Sequence, residues 1–369
     1  MERIVLAYSG GLNASIAIPW LSATYGAEIV AVTMDLGQGR ALEAVRDRAL
    51  ALGAVRAHVL DVREEFTRDF VLPSIKADAL HDGRSPMASS LARAIIARRL
   101  VDIAELEHAG AVAHGGGGRG VRVALDELLR SLHPTLTVLA PARDSGLSGT
   151  EKIEYARRHG VPVPLDDDDS CQTDANLWGR SIQYRVLGDT RSEPPEDAFT
   201  LTRRARECPD EPAHVEIAYE QGAPVSINGV AMPLLELIAS LGTIASVHGI
   251  GRIEVRDHRV GAIRMHEVAE APAAVLLHAG HRDLQAGSAT PDFDRCARMV
   301  GVEYAQLIDA GRWFSPLRVA LDAFVNVAQD RVAGVVRFML HKGTYSIVGR
   351  RPAQAATVRT PAIIPMTKA

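Results

Sequence analysis

A stretch near the start of the chain, Ser9-Gly10-Gly11-Leu12-Asn13-Ala14-Ser15, has the residue types that hold phosphate. Glycine lets the backbone come close to phosphate oxygens with no Cβ in the way. A helix start beyond it offers free N–H groups and the positive end of the helix dipole. Ser9 and Ser15 add hydroxyl donors. No Lys follows the glycines, so this is not the lysine-bearing G-x-x-x-x-G-K-[ST] loop. The alternative is a plain strand-to-helix turn; the position after the first strand of an α/β pattern favours a nucleotide.

A second Gly-rich turn runs from His114 through Gly115, Gly116, Gly117 and Gly118 to Arg119 and Gly120. Arg119 either offers paired donors to a phosphate or carboxylate, or is a solvated surface residue. Asp166 to Asp169 reads as a solvated acidic loop at a domain junction rather than a metal site. Cys171 has no paired base and reads as a small inert side chain rather than a nucleophile.

The elements that must position these turns alternate. Ile4 to Tyr8, Glu28 to Met34, Arg56 to Leu60, Ala111 to Ala113 and Leu136 to Ala140 are short apolar runs, as in strands covered on both faces. Ser15 to Leu21, Ala41 to Leu52 and Ser89 to His108 read as helices between them, the last opened by Ser and closed at Gly110. Repeated strand-helix-strand units imply a parallel sheet with ligands at the carboxyl ends of its strands. After Val161-Pro162-Val163-Pro164 the pattern becomes α+β. Val215 to Tyr219, Pro224 to Ile227, Arg252 to Arg256, Arg259 to Ile263, Val335 to Leu340 and Tyr345 to Val348 read as strands. Pro233 to Ser246 and Pro316 to Gln329 read as helices. The expected domains are 1–165 (nucleotide-binding) and 166–350 (α+β), with a loose tail over 351–369.

The bulk numbers narrow the class. With 369 residues, 47% hydrophobic and 23% charged, the chain suits a two-domain globular enzyme. A formal net charge of -4 gives no electrostatic case for nucleic acid. Cys171, Cys208 and Cys296 make no CxxC pair, so neither zinc nor a disulfide framework is indicated. No apolar run nears the roughly 20 residues that span a bilayer, and no leader pattern precedes the first strand. A cytoplasmic setting without nucleic-acid or membrane partners is expected.

The ordered segments Ala7-Tyr8-Ser9-Gly10-Gly11-Leu12, Asp35-Leu36-Gly37-Gln38, Ser90-Leu91-Ala92-Arg93, Ala113-His114-Gly115, Asn176-Leu177-Trp178-Gly179-Arg180-Ser181, His248-Gly249-Ile250-Gly251-Arg252-Ile253 and Trp313-Phe314-Ser315-Pro316-Leu317-Arg318 together resemble the argininosuccinate synthase family. The resemblance implies an α/β fold: a parallel-sheet domain of the ATP pyrophosphatase (adenine nucleotide alpha hydrolase-like) type, then an α+β synthetase and multimerisation domain. It implies that ATP adenylates the ureido oxygen of citrulline with loss of pyrophosphate, and that the amine of aspartate then displaces AMP. It further implies magnesium (Mg2+) and a homotetramer. By the same resemblance, ATP would contact Ala7, Tyr8, Ser9, Gly10, Gly11, Leu12, Asn13, Ser15, Met34, His114, Gly115 and Arg119. The amino-acid-like substrates would contact Ser85, Ser90, Gly117, Val121, Arg122, Leu125, Gln172, Ser181, Asp257 and Ala269.

The chain departs from the family pattern at several of these places. The family loop reads Ser-Gly-Gly-Leu-Asp-Thr-Ser, so Asn13 and Ala14 replace an Asp and a Thr. The family turn reads His-Gly-x-Thr-Gly-Lys-Gly-Asn-Asp-Gln-Val-Arg-Phe-Glu, against His114 to Glu127 here. The Thr, Asn and Asp that hold aspartate fall on Gly117, Val121 and Arg122, and an Arg that contacts citrulline falls on Leu125. Family tyrosines fall on Ser85 and Ala269, a Ser on Gln172 and a Glu on Asp257, whereas Ser90 and Ser181 are kept. The expectation from these changes is an ATP-dependent C–N ligase acting on substrates other than citrulline and aspartate, in specialised metabolism. The alternatives are a nucleotide-binding paralogue without turnover and a true argininosuccinate synthase with unusual loops. A nucleic-acid thiolase or amidase lacks its paired cysteines and basic charge.

Overall fold

The computed structural model describes residues 2–39, 41–116, 119–162, 171–185, 196–255 and 265–352, with backbone alone at 119–122, 171–172, 183–185, 255, 265–266 and 352. The first half carries strands β1 (Arg3–Ala7), β2 (Glu28–Asp35), β3 (Arg56–Asp61), β4 (Ala111–His114) and β5 (Thr137–Leu139). Its longer helices are α1 (Leu12–Tyr25), α2 (Leu42–Ala51), α5 (Ala88–Leu106), α6 (Arg119–Leu132) and α8 (Gly149–Arg158). Short helices α3 (Arg63–Phe66), α4 (Leu72–Lys76) and α7 (Pro141–Asp144) fill the connections.

The five strands form one parallel sheet in the order β3-β2-β1-β4-β5. Both faces are covered, which is why Ile4, Val5 and Leu6 of β1 are all fully buried. Val5 packs with Leu91 and Ile95 of α5, whereas Ile4 and Leu6 belong to the cluster of Ile18 and Leu21 of α1. The chain moves outward from β1 to β2 and β3, then returns to the other side of β1 as β4 and β5. The winding therefore reverses between β1 and β4, and a crevice opens there at the strands' carboxyl ends.

The second half carries β6 (Cys171–Asn176), β7 (Gly179–Arg185), β8 (Ala213–Glu220), β9 (Ala223–Ile227), β10 (Val230–Ala231), β11 (Arg252–Val255), β12 (Met265–Glu270), β13 (Gly334–His341) and β14 (Thr344–Pro352). Helices α9 (Leu234–Val247), α10 (Pro272–Ser288), α11 (Pro291–Asp309) and α12 (Pro316–Gln329) complete it. These strands make two antiparallel sheets, β11-β12-β7-β6 and β10-β9-β8-β13-β14. Fully buried Glu270 ties the segment at 200–202 to the first of them: its carboxylate accepts from the amides of Thr200, Leu201 and Thr202 and from the Thr202 hydroxyl at 2.7–3.0 Å. One apolar cluster runs from Val5 and Leu91 through Trp178 to Ile217, Leu241 and Phe338, so the two halves share a core.

Several sequence expectations are corrected. Helix α5 starts at Ala88, and its cap is Met87 in the left-handed region at φ 51°, with no Ser side chain capping it. The Gly-rich turn feeds α6, whose buried Leu125, Leu128 and Leu129 were not read as a helix. The hairpin β6-β7, the strand β12 and the helices α10 and α11 were also missed. The strand expected at 259–263 and the acidic run at 166–169 lie outside the described residues. Strand β14 continues to Pro352, past the expected start of the tail.

Candidate active site

The first Gly-rich loop leaves β1 at Ala7 and opens α1, as its composition implied. Gly10 takes φ +75°, and Gly11 is the helix N-cap with no side chain capping the first turn. That turn carries no acidic residue. The exposed lip at Ser9 and Gly11 thus presents uncapped N–H groups, the arrangement that suits an anion. A Cβ on Gly10 would sit 3.2 Å from both methyl carbons of Val45, so α2 closes one side of the loop. Arg48 donates to the Gly10 carbonyl at 3.0 Å and adds a cation at the edge.

The loop is braced from below. The buried Tyr8 hydroxyl and Ser15 hydroxyl lie 3.1 Å apart. The Tyr8 amide donates to the Val32 carbonyl, and Thr33 donates to the Tyr8 carbonyl, both at 2.8 Å. Burial pushes the Tyr8 phenol above its ordinary range, so it is a neutral hydrogen-bonding group. Ser15, expected to donate to phosphate, is buried and engaged with Tyr8. Leu12 and Asn13 are half-buried in the first helical turn. Met34 is buried at the end of β2, where its carbonyl accepts from the Gln38 side chain at 2.7 Å.

The second Gly-rich turn meets the first loop across the β1–β4 crevice. A Cβ on Gly115 would stand 3.5 Å from the amide nitrogen of Ala14, an ordinary van der Waals contact, so the two turns lie side by side at this point. The family resemblance places His114 on the nucleotide, whereas a lone His at a strand end reads as structural. Its ring is fully buried, with Nε2 2.9 Å from Asp126 Oδ1 and Nδ1 accepting from the Gly116 amide at 3.3 Å. Leu125, placed on the substrate by the family resemblance, is buried as well. It lies with Leu128 and Leu129 in the core because helical spacing puts all three on the buried face of α6. Arg119, Val121 and Arg122 sit in the opening turns of that helix. Gly117 and Asp257 lie outside the described residues.

The remaining expected contacts gather where the β11-β12-β7-β6 sheet meets the start of α5. Ser181 pairs with Ala269 across β7 and β12, so their side chains share a face. The Ser181 hydroxyl is 3.2 Å from that of Ser89, a residue the sequence reading passed over. Ser90 accepts from Arg93 one turn later. Ser85 is buried in the tight turn before α5, in a bridge to His81. Gln172 lies on β6, paired in register with Gln183. Asn176, inside a segment that carried the resemblance, had been given no role. It donates to the Ala88 carbonyl at 2.9 Å and accepts from the Trp178 amide at 2.8 Å, fixing the hairpin on α5.

The model of the "Arginosuccinate synthase N-terminal HUP domain" matches residues 3–162, and that of the "Arginosuccinate synthase C-terminal domain" matches 171–360. The chain belongs to the argininosuccinate synthase family. It is 45% identical over 355 residues to the argininosuccinate synthase of Rubrobacter xylanophilus, covering 96% of this chain and 87% of that one. It is 44% identical to that of Gloeobacter violaceus, covering 95% and 88%, and 43% identical to that of Brevibacillus brevis, covering 96% and 85%. A solved 4-thiouridine synthetase–RNA complex with bound ATP shares 25% identity over 43% of this chain and 41% of that one, at a TM-score of 0.33. The family is one of ATP-dependent C–N ligases, and the parallel-sheet first domain and mixed second domain agree with it. The relatives carry the unmodified name argininosuccinate synthase and give no support to the expectation of other substrates. Among the described residues, no helix is long and apolar enough to cross a membrane.

Proposed function

We propose that the chain is an argininosuccinate synthase: it joins citrulline and aspartate through an adenylated ureido oxygen, releasing pyrophosphate and AMP. The carrying observation is the meeting of the uncapped Ser9–Ser15 helix start with the Gly115 turn at the β1–β4 crevice. Whole-chain similarity to argininosuccinate synthases supports the same reading. In this reading ATP supplies the leaving group, and the protein supplies position and charge stabilisation. The α1 amides would hold the phosphates, while Ser90 and Ser181 would line the acceptor pocket. Magnesium would ride on the phosphates. The described residues hold no group of three His, Cys, Asp or Glu able to bind an ion alone. A cytoplasmic homotetramer, divided near residue 165 into its two domains, belongs to the same proposal.

A second reading is the same chemistry on other substrates. It is favoured by Leu125, which is 5% exposed in the core where the family pattern has a citrulline-contacting Arg. One assay separates the readings: pyrophosphate release with ATP, Mg2+, citrulline and aspartate, omitting each in turn. Release that needs both amino acids is the expected result. Release only with other pairs from an amino-acid and amide panel overturns it for the second reading. ATP binding without release across the panel overturns both for a non-catalytic paralogue.

A further inference from the structure

Asp126 stands where the family pattern has Phe, one residue after Leu125. Its carboxylate is nearly enclosed, with Oδ1 at 2.9 Å from His114 Nε2 and Oδ2 at 3.4 Å from Arg130. Arg143, beyond the end of β5, approaches the same oxygen at 3.9 Å. On the other side of the ring, the Gly116 amide donates to Nδ1 at 3.3 Å. An amide can only donate, so Nδ1 carries a lone pair and the ring proton sits on Nε2, aimed at Asp126. A Phe at 126 would leave that Nε2–H without this acceptor.

We propose that Asp126 is a positioning residue for the ATP site, acting through His114 on the second Gly-rich turn. The carboxylate fixes the ring as the Nε2–H tautomer, the lone pair on Nδ1 holds the Gly116 amide, and the turn is thereby held against α1. Gly115 and Gly116 carry no side chains with which to hold the start of the turn, and their freedom is otherwise lost at entropic cost. The contact of the turn with the phosphate loop, Gly115 over Ala14, transmits that order to the crevice. This chain lacks the Thr, Asn and Asp side chains of the family turn, and the Asp126–His114 couple supplies a fixed point in their place. The proposal rests on the reading of the crevice as the ATP site.

The test has two arms. In the first, long-range nitrogen–proton spectra of histidine-labelled protein, assigned with His114→Gln, report the His114 tautomer of the wild type. The Nε2–H form is expected, and the Nδ1–H form overturns the proposal whether or not ATP binds. In the second, calorimetric titration with ATP–Mg2+ compares Asp126→Ala with Asp126→Asn, whose amide oxygen still accepts from Nε2–H. Asp126→Ala is expected to raise the dissociation constant about tenfold, with Asp126→Asn within about threefold of wild type. Equal affinity in all three proteins, or equal loss in both variants, overturns the proposal. If the wild type shows the Nε2–H tautomer but binds no ATP, the reading of the crevice has failed and the positioning of an ATP site falls with it.

Discussion

The amide of Leu177, in the turn between β6 and β7, donates to the carbonyl of Leu36, in the turn after β2, at 2.7 Å. One hydrogen bond thus joins the second domain to the carboxyl end of the parallel sheet. Gly37 makes the approach possible. It has φ +80°, and a Cβ there would fall 2.9 Å from the Leu177 Cβ. Gly37→Ala is therefore expected to lower stability by about 1–3 kcal/mol, read as a lower urea midpoint. An unchanged midpoint would show that the contact does not hold the halves together.

Gly10→Ala tests the phosphate loop. The residue sits at φ +75°, and the new methyl would press on Val45 at 3.2 Å. The loop must shift, and ATP affinity should fall about tenfold, about 1.4 kcal/mol. Titration of the purified variant with ATP–Mg2+ measures this, and wild-type affinity would remove Gly10 from the site.

Leu125→Arg restores the residue type of the family pattern. Because Leu125 is buried among Leu128 and Leu129, the guanidinium would enter an apolar core without a carboxylate partner. The expected outcome is a loss of about 3–5 kcal/mol, seen as a steep fall in melting temperature. A folded variant with improved citrulline-dependent turnover would instead place position 125 on the substrate.

His281 should make stability depend on pH. It is fully buried on α10, its Nε2 2.6 Å from Gln329 Oε1, and burial lowers its pKa from 6.5 to about 4. The unfolded chain therefore takes up a proton below about pH 6.5 that the folded chain refuses. Stability is complete above that pH and falls as pH drops towards about 4. At about 1.4 kcal/mol per pH unit, the loss is about 3 kcal/mol. Denaturant unfolding at pH 7 and pH 5 checks the sign, and His281→Gln should flatten the difference.

The parallel sheet was legible because β1 and β2 are unbroken apolar runs, the mark of strands buried on both faces. The turn from β1 into α1 was legible because its glycines and the helix behind it are adjacent in sequence. The α10–α11 pair was not. Helix α10 buries polar His278, His281 and Gln285, whose partners are Asp78 and Gln329, far away along the chain. Helix α6 was hidden by its Gly-rich entry, although Ala124, Leu125, Leu128 and Leu129 carry the helical spacing.

The strand-loop-helix that can cradle phosphate could be read along the chain, since glycine freedom and helix-start amides are local properties. The family could be read there too, through motifs spread along the whole chain. That the second turn rests on the first, that His114 faces Asp126 and that Leu125 is core came from the packing of distant elements. Those outcomes depend on which face of α6 the sheet and α5 cover, and on the reversal of winding between β1 and β4. Burial and hydrogen-bond geometry are set by elements brought together in space, so the same residue types could have lined a pocket or filled a core until the packing chose.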